Sequence, residues 1–520
     1  MYKGKSIAVL VLLLSLSFSI LYAEEHLPSV HPVCGDTLSV TYAGYESVLV
    51  KRAEWEALVR RVERLEVDAL SSATPVEEPQ REDTVKKPIP EDTPKHKGNK
   101  PVKERRITFW MGGYGEATMM RAFYSDNYLR YSRPENYKDD SFGQFDLPHV
   151  VLAFGCDFGK GWSMGTEIEF EHGGMEGAVE IEQEEAGEYE TEIERGGEVA
   201  IEQFWLQKSF NPYANLRAGM IIVPVGGTNA HHEPNQFFGV FRPEGDNTIL
   251  PCTWHEVGLS FFGRYKWWWY EVQFLPGLDS DRFGRQNWVK YGAGSPYEFK
   301  LATCYAAAMR HDFYPAQGLR LSLSGYCGTS FHNTLSNTSA EKYDNVHGLV
   351  SIGAFDFKYD DHNLILRGGF TYGHLGDAQI ITQYNMQMRK DSPSKQQTVA
   401  SDAYSFGVEA GYDFFSLNRR LHDTAQKFYL FARYDIYDSQ FLVAGQRNAG
   451  YAWCGRQRFA AGVNYFPLPE IIVKGEFSYG LLNKAQDASG TAFRKYNDEP
   501  ALSLGIAYCG FFFNTKNNNK

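Results

Sequence analysis

The chain has 520 residues, of which 49 are glycine, 15 % aromatic, 43 % hydrophobic and 22 % charged, with a formal charge of −12. Abundant Gly and aromatic residues, with polar and apolar residues mixed throughout, favour β structure and exclude a polytopic helical membrane protein, which needs several apolar runs of about 20 residues. The acidic balance also excludes general affinity for nucleic acid or for an anionic membrane surface, since both call for basic excess.

At the start of the chain, Lys3 and Lys5 precede an apolar stretch from Ile7 to Leu21 that runs into Tyr22, Ala23, Glu24 and Glu25. This is the pattern of a secretory signal peptide over residues 1–23, cleaved after Ala23. The residue directly after the cut is Glu24 rather than Cys, which disfavours a lipoprotein anchor. Nothing later offers about 18 consecutive apolar residues, so the exported protein has either no membrane domain or a β-barrel one.

Within a periplasmic segment 24–70, Val48, Trp55, Leu58, Val62, Leu65 and Ala69 follow heptad spacing, interrupted by Lys51. The spacing predicts a coiled-coil helix over about 46–70, with Trp55, Leu58, Val62 and Leu65 as an oligomer seam. Three heptads are marginal alone, and the bland alternative is one amphipathic helix packed on its own chain. Residues 71–106 turn to Pro, Glu, Lys, Asp and Thr, with prolines at 75, 79, 88, 90, 94 and 101 and no aromatic residue. Such a stretch buries too little apolar surface to fold, and reads as a disordered linker reaching on the order of 100 Å at about 3.1 Å per residue.

From Ile107 to the end at 520, segments of about ten residues alternate apolar and polar side chains and end in Gly, Pro, Asn or Asp. In 364–372, Leu364, Leu366, Phe370 and Tyr372 share one face and Arg367 and Thr371 the other. The stretch 428–436 repeats this, with Leu430, Tyr434 and Ile436 opposite Arg433 and Asp435; 471–479 places Lys474 and Glu476 on its polar face. Short links (157–162, 210–214, 264–267, 314–318, 360–362, 466–470) alternate with long polar ones (124–146, 173–197, 226–251, 279–297, 329–346, 376–402, 439–457, 483–499), and only the link 417–427 departs from the scheme. Short turns at one end and long loops at the other, with aromatics at segment ends, predict an all-β transmembrane β-barrel of about 16 antiparallel strands over 107–520. A soluble sandwich or propeller is the alternative fold.

The stretch 218–226 (Ala-Gly-Met-Ile-Ile-Val-Pro-Val-Gly), followed by His232-Glu233-Pro234, by 237–244 with Arg242-Pro243-Glu244, and by 249–258 with Pro251, Trp254 and Gly258, resembles the porin O/P (phosphate-selective-porin-like) family in its Bacteroidetes-type versions. The likeness is order-preserving over roughly forty residues; the rest of the barrel matches in rhythm only. It implies an outer-membrane diffusion pore of about sixteen strands, usually trimeric and often preceded by a short coiled coil. Family members selective for phosphate line the pore with basic residues. Here Arg217, Lys300, Arg320, Arg367, Arg433 and Lys474 stand against Glu167, Glu169, Glu171, Glu271, Glu409, Asp413, Asp435 and Glu476, so phosphate selectivity is not carried over. The chain also continues past Phe513 to Lys520, which displaces the aromatic assembly signal with which the family commonly ends.

The expected function is therefore an outer-membrane porin, a homotrimer among outer-membrane lipids and lipopolysaccharide, passing small hydrophilic solutes or ions with weak cation preference. The pore-lining and constriction candidates are Arg217, Arg242, Glu244, Lys300, Arg320, Arg367, Arg433, Asp435, Lys474 and Glu476, with the loop 226–251 folding into the lumen. Two other classes remain: a barrel that tethers the outer membrane to peptidoglycan through its coiled coil, and an outer-membrane barrel enzyme. The sequence carries no G-x-S-x-G, P-loop or H-E-x-x-H motif and no plug domain before Ile107. No cofactor is expected. No metal site is expected either: His231, His232 and Glu233 are adjacent, and adjacent side chains in an extended loop diverge. The acidic loop 176–198 reads as a solvated charged loop or a divalent-cation sink, with its flanking strands continuing above the membrane. Cys34, Cys156, Cys252, Cys304, Cys327, Cys454 and Cys509 are scattered without metal spacing and read mostly as packed thiols.

Overall fold

The computed structural model describes residues 29–34, 37–41, 48–51, 107–172, 177–183, 189–195, 199–294, 299–333, 343–387, 397–422, 424–443, 446–447, 451–484 and 494–515. The expected signal peptide, the linker 71–106 and the seam residues Trp55, Leu58, Val62 and Leu65 lie outside them. The chain divides into two compact units, Met1–Val102 and Lys103–Lys520.

In the first unit, Ser29–Cys34, Thr37–Thr41 and Val48–Lys51 form an antiparallel sheet in sequence order. This corrects the beginning of the predicted helix, because Val48 is paired with Val40 in the ladder. The run Val48-Leu49-Val50 is rich in β-branched residues, and where a short heptad pattern is marginal a strand partner nearby decides the outcome.

The second unit is a closed barrel. Its wall strands are β1 (Thr108–Ala122), β2 (His149–Gly159), β3 (Trp162–Glu171), β4 (Val199–Asn211), β5 (Ala214–Ile222), β6 (His255–Tyr265), β7 (Trp268–Pro276) and β8 (Tyr305–Ala316). They continue as β9 (Leu319–Gly328), β10 (Val350–Asp361), β11 (Leu364–Leu375), β12 (Asp402–Asp413), β13 (Lys427–Val443), β14 (Gly455–Leu468), β15 (Ile471–Leu482) and β16 (Glu499–Asn514). Each pairs antiparallel with the next, and β16 returns to β1 with Leu502 opposite Arg121, so the expected count of sixteen holds for the wall. Two shorter strands, Phe142–Asp146 and Gln446–Arg447, add to β1 and β13.

Alternation explains why these segments close into a barrel. On β15, Ile472, Lys474, Glu476 and Ser478 are buried while Val473 and Phe477 are exposed; on β16, Leu502, Leu504 and Ile506 are 45–54 % exposed opposite buried Ala501, Ser503 and Ala507. A polar interior with an apolar exterior suits hydrocarbon outside, and closure leaves no unpaired sheet edge there. Among the described residues, no helix is long and apolar enough to cross a membrane.

The short links are tight turns. Lys160 and Gly161 lie at φ 56° and 75°, and His362 and Asn363 at 54° and 61°, the left-handed conformations of two-residue hairpin turns that follow strand twist. The link 413–427 is longer because it holds a 3-10 turn, Phe414–Leu417, and the short helix Arg419–His422. In the acidic loop, Gly177–Gln183 pairs with Tyr189–Arg195 as a separate two-stranded sheet rather than prolonging β3 and β4.

The apolar core lies at the end that carries the long loops. Leu275, Tyr326, Ile352 and Leu375 from the strands meet Val223, Leu250, Trp254, Leu278, Phe283, Trp288, Ile381 and Val399 from the loops. Trp288 packs where a side chain on Gly373 would stand, its ring 2.1 Å from that Cβ position, and its indole N–H donates to the carbonyl of Ala400 at 3.0 Å. Cys156, Cys252, Cys304, Cys327, Cys454 and Cys509 are free thiols.

Candidate functional site

The lumen is organised by the loop 223–254 between β5 and β6. Pro224, Pro234, Pro243 and Pro251 interrupt it, so it contains only the short helices α1 (Gly227–Ala230) and α2 (Glu244–Ile249) and a 3-10 turn at Pro234–Gln236. Its base is latched by Asn229, whose amide donates to the carbonyls of Val223 (2.6 Å) and Trp254 (3.3 Å) and accepts from the Trp254 N–H (2.6 Å).

A loop without regular structure inside a barrel must find partners for its backbone. Strand side chains supply them. Glu409 on β12 accepts from the Phe238 N–H at 3.2 Å, and Glu476 on β15 from the Val240 N–H at 3.0 Å. Lys474 donates to the carbonyls of Phe237 (3.1 Å) and Gly239 (2.8 Å), and Arg433 to that of Phe241 (3.1 Å). The Phe238 ring stacks on Phe431 at 5.5 Å and meets Tyr429 at 5.4 Å beneath the Arg367 guanidinium; Gly411 leaves it room, for a Cβ there would stand 2.2 Å from the ring.

Farther along, Glu244 pairs with Arg458, lies 3.9 Å from Arg456 and accepts from the Tyr437 hydroxyl at 2.7 Å. Burial pushes its carboxyl up, but the two guanidinium groups outweigh that and hold its pKa down at about 2. Asp246 accepts from Thr371 at 3.0 Å and also from Ser405 and Thr228; burial raises its pKa against these hydroxyls. Glu499 on β16 gathers Arg130, Arg456 and Arg458.

The expected site residues fall into three groups. Arg367, Arg433, Lys474 and Glu476 grip the loop from the wall, Glu244 ties the loop to Arg458, and Asp435 pairs with Arg433 at 2.7 Å. Arg320 pairs with Asp356 at 3.2 Å and with His231, and Arg242 donates to Thr253 at 3.3 Å with Cys252, Tyr114, Glu169 and Glu116 as its electrostatic neighbours. Arg217 and Lys300 stand apart: Arg217 is sandwiched by Trp205 and Phe262, and Lys300 sits in the loop before β8, paired with Glu256 at 3.0 Å. Arg456 and Arg458 are not among the expected site residues, although their alternate spacing lies on the inward row of β14; Arg456 falls within the expected link 439–457 and Arg458 just beyond it. Nor is Arg310, which pairs with Asp312 at 2.8 Å and Asp356 at 2.9 Å.

The loop separates two regions of different charge. On one side a cavity of about 90 Å³ is lined by Asp246, Arg320, Asp356, Lys358, Arg367 and Glu409 among others, a mixed surface with room for a few waters or a small ion. On the other, Glu116, Glu167, Glu169 and Glu202 from β1, β3 and β4 meet Arg242, His149 and His232; His149 and Glu169 are 2.7 Å apart. Among these groups the excess is acidic.

No family model matches the chain. It is 26 % identical over 377 residues to an uncharacterized protein of Aquifex aeolicus (strain VF5), covering 71 % of this chain and 74 % of that protein. Among solved structures it is similar to the outer membrane channel DcaP of Acinetobacter baumannii, at 10 % identity and a TM-score of 0.44 over 78 % of this chain and 97 % of that one. It is likewise similar to Salmonella typhi OmpF in complex with daunomycin, at 11 % and 0.44 over 76 % and 97 %, and to the trimer form of OmpT, an outer membrane protein of Vibrio cholerae, at 10 % and 0.43 over 78 % and 99 %.

Proposed function

We propose that the protein is an outer-membrane porin through which small hydrophilic solutes or ions diffuse passively. The observation that carries this reading is the lumen loop 223–254, seated across a closed barrel and tied to its walls by Lys474, Glu476, Glu409 and Arg433. A loop whose middle is held by charged side chains as well as by the packing of Phe238 keeps a polar, water-compatible surface beside it while narrowing the path. The acidic row of Glu116, Glu167, Glu169 and Glu202 supports weak cation preference. Arg242 and the pair Arg367–Glu409 border the narrow region; Glu244, Arg320, Arg433, Lys474 and Glu476 act by holding the loop, whereas Arg217 and Lys300 stand apart from it.

In this reading the barrel lies in the outer membrane of a Gram-negative bacterium among lipids and lipopolysaccharide, its N-terminal segment periplasmic, and three copies associate with help from the seam at Trp55, Leu58, Val62 and Leu65. The resemblance to porin O/P members supports the pore without the phosphate preference. Single-channel recording in planar bilayers tests it. Discrete ohmic steps and a reversal potential of cation sign under a KCl gradient are expected. A folded barrel that never conducts overturns the pore, and strong anion preference or block by micromolar phosphate overturns the selectivity.

A further inference from the structure

The acidic wall holds a cluster that the loop anchors do not use. Glu167 on β3, Glu202 on β4 and His232 on the lumen loop each offer one ligand atom, all within 4.8 Å of one another. Glu202 is 0 % exposed, and neither of its carboxylate oxygens has a hydrogen-bond partner. A carboxylate wholly removed from water and left without hydrogen bonds is among the costliest groups to bury unless a cation meets it.

The partner facing it sharpens the point. His232 Nε2 stands 3.4 Å from Glu202 Oε1. The other ring nitrogen, Nδ1, lies 3.1 Å from the carbonyl oxygen of Asn229, and a carbonyl only accepts, so Nδ1 carries the hydrogen. In the neutral ring Nε2 is then a lone pair aimed at a bare carboxylate, an arrangement that is repulsive without a cation between them. A proton on Nε2 would supply one, yet the pair does not reach hydrogen-bond geometry. A metal fits better: ligands at about 2.0–2.1 Å in a tetrahedron are separated by about 3.3–3.4 Å.

We propose that Glu167, Glu202 and His232 bind a divalent first-row transition cation of the Zn²⁺ type inside the lumen. Two carboxylates and a neutral imidazole carry two negative charges, which one such cation cancels. Imidazole among the ligands disfavours Mg²⁺ and Ca²⁺, which take oxygen and in larger number. The outer partners that orient metal ligands are in place. Asn229 holds His232 by its carbonyl and is itself latched at the loop base, and the Gln203 amide donates to Glu167. Three protein ligands leave a fourth position for water or a passing solute. One rung along β3, His149, Glu169 and Glu171 form a second cluster of the same kind, giving a cation a step between Glu171 at the strand end and the site. The adjacent histidines do diverge: His231 turns to Arg320, and His232 finds its partners on strands remote in sequence.

The site goes beyond the pore reading and does not depend on it, since binding is measured on folded full-length protein in detergent whether or not it conducts. Zn²⁺ is titrated by calorimetry into the wild type and into Glu202→Gln, Glu167→Gln, His232→Ala and Glu233→Gln, with folding verified by heat-modifiable electrophoresis. One high-affinity Zn²⁺ per chain is expected in the wild type and in Glu233→Gln. Affinity should fall on the order of 100-fold in the other three. Co²⁺ serves as a second probe: its visible absorption should carry a tetrahedral band that His232→Ala removes. Identical Zn²⁺ isotherms for wild type and Glu202→Gln, an absence of tight binding in the wild type, or a Co²⁺ band that survives His232→Ala would each overturn the proposal.

Discussion

Replacing Lys474 by Met tests whether charge holds the lumen loop. Lys474 is 3 % exposed and donates to two loop carbonyls, at 3.1 and 2.8 Å. Hydrogen bonds from a charged donor are worth about 1.5–3 kcal/mol each, so the substitution weakens the segment around Phe237 and Gly239 by about 3–6 kcal/mol before relaxation. The methionine also leaves those carbonyls without their buried cation and removes one of the positive charges near Glu476, where Arg433 remains. Because Glu409, Glu476 and Arg433 still bind the neighbouring backbone, the loop should loosen locally rather than leave the wall. Even the lower figure corresponds to a roughly hundredfold larger population of the loosened state. The ladder of the barrel is untouched, so heat-modifiable migration should stay near wild type. In planar bilayers the variant should give larger and noisier single-channel steps. Conductance and noise both equal to wild type in the folded variant would refute the assignment of Lys474 as a loop anchor.

Three further outcomes are expected. Deleting residues 235–246 removes Phe237, Phe238 and Glu244 together and should raise conductance several-fold in bilayers, with the barrel still folded by electrophoresis. Gly411→Val places a side chain where the Phe238 ring stands and should expel that ring, costing about 3–5 kcal/mol of loop packing, read as protease sensitivity of the loop and raised channel noise. The depressed pKa of Glu244, about 2, means that its pairing with Arg458 and Arg456 contributes fully above its ordinary value near 4.5 and is lost as pH falls through about 2. Channel noise should therefore be flat from pH 7 to 5 and rise progressively below; Glu244→Gln should show the raised noise at every pH, and a wild-type rise already complete at pH 5 would contradict the pairing.

Much of the barrel was legible in the chain because a strand pointing one face to lipid and one to water writes a period of two into its sequence. Lys474 and Glu476, Arg433 and Asp435, and Arg367 with Thr371 all appear on the inward row that alternation assigns them, and loop length alone separated the two ends. The loop 226–251 could be singled out by its Pro and Gly punctuation. Alternation assigns a face but carries no information on depth or partner. It was local competition, a neighbouring strand against three weak heptads, that placed Val48 in a ladder. The lumen charges were expected to line the pore, whereas many of them substitute for the hydrogen-bond partners that an irregular loop lacks. That use, and the meeting of His232 with Glu167 and Glu202, depends on strands and loops remote in sequence, and only barrel closure and the seating of the loop bring those atoms within a few ångströms.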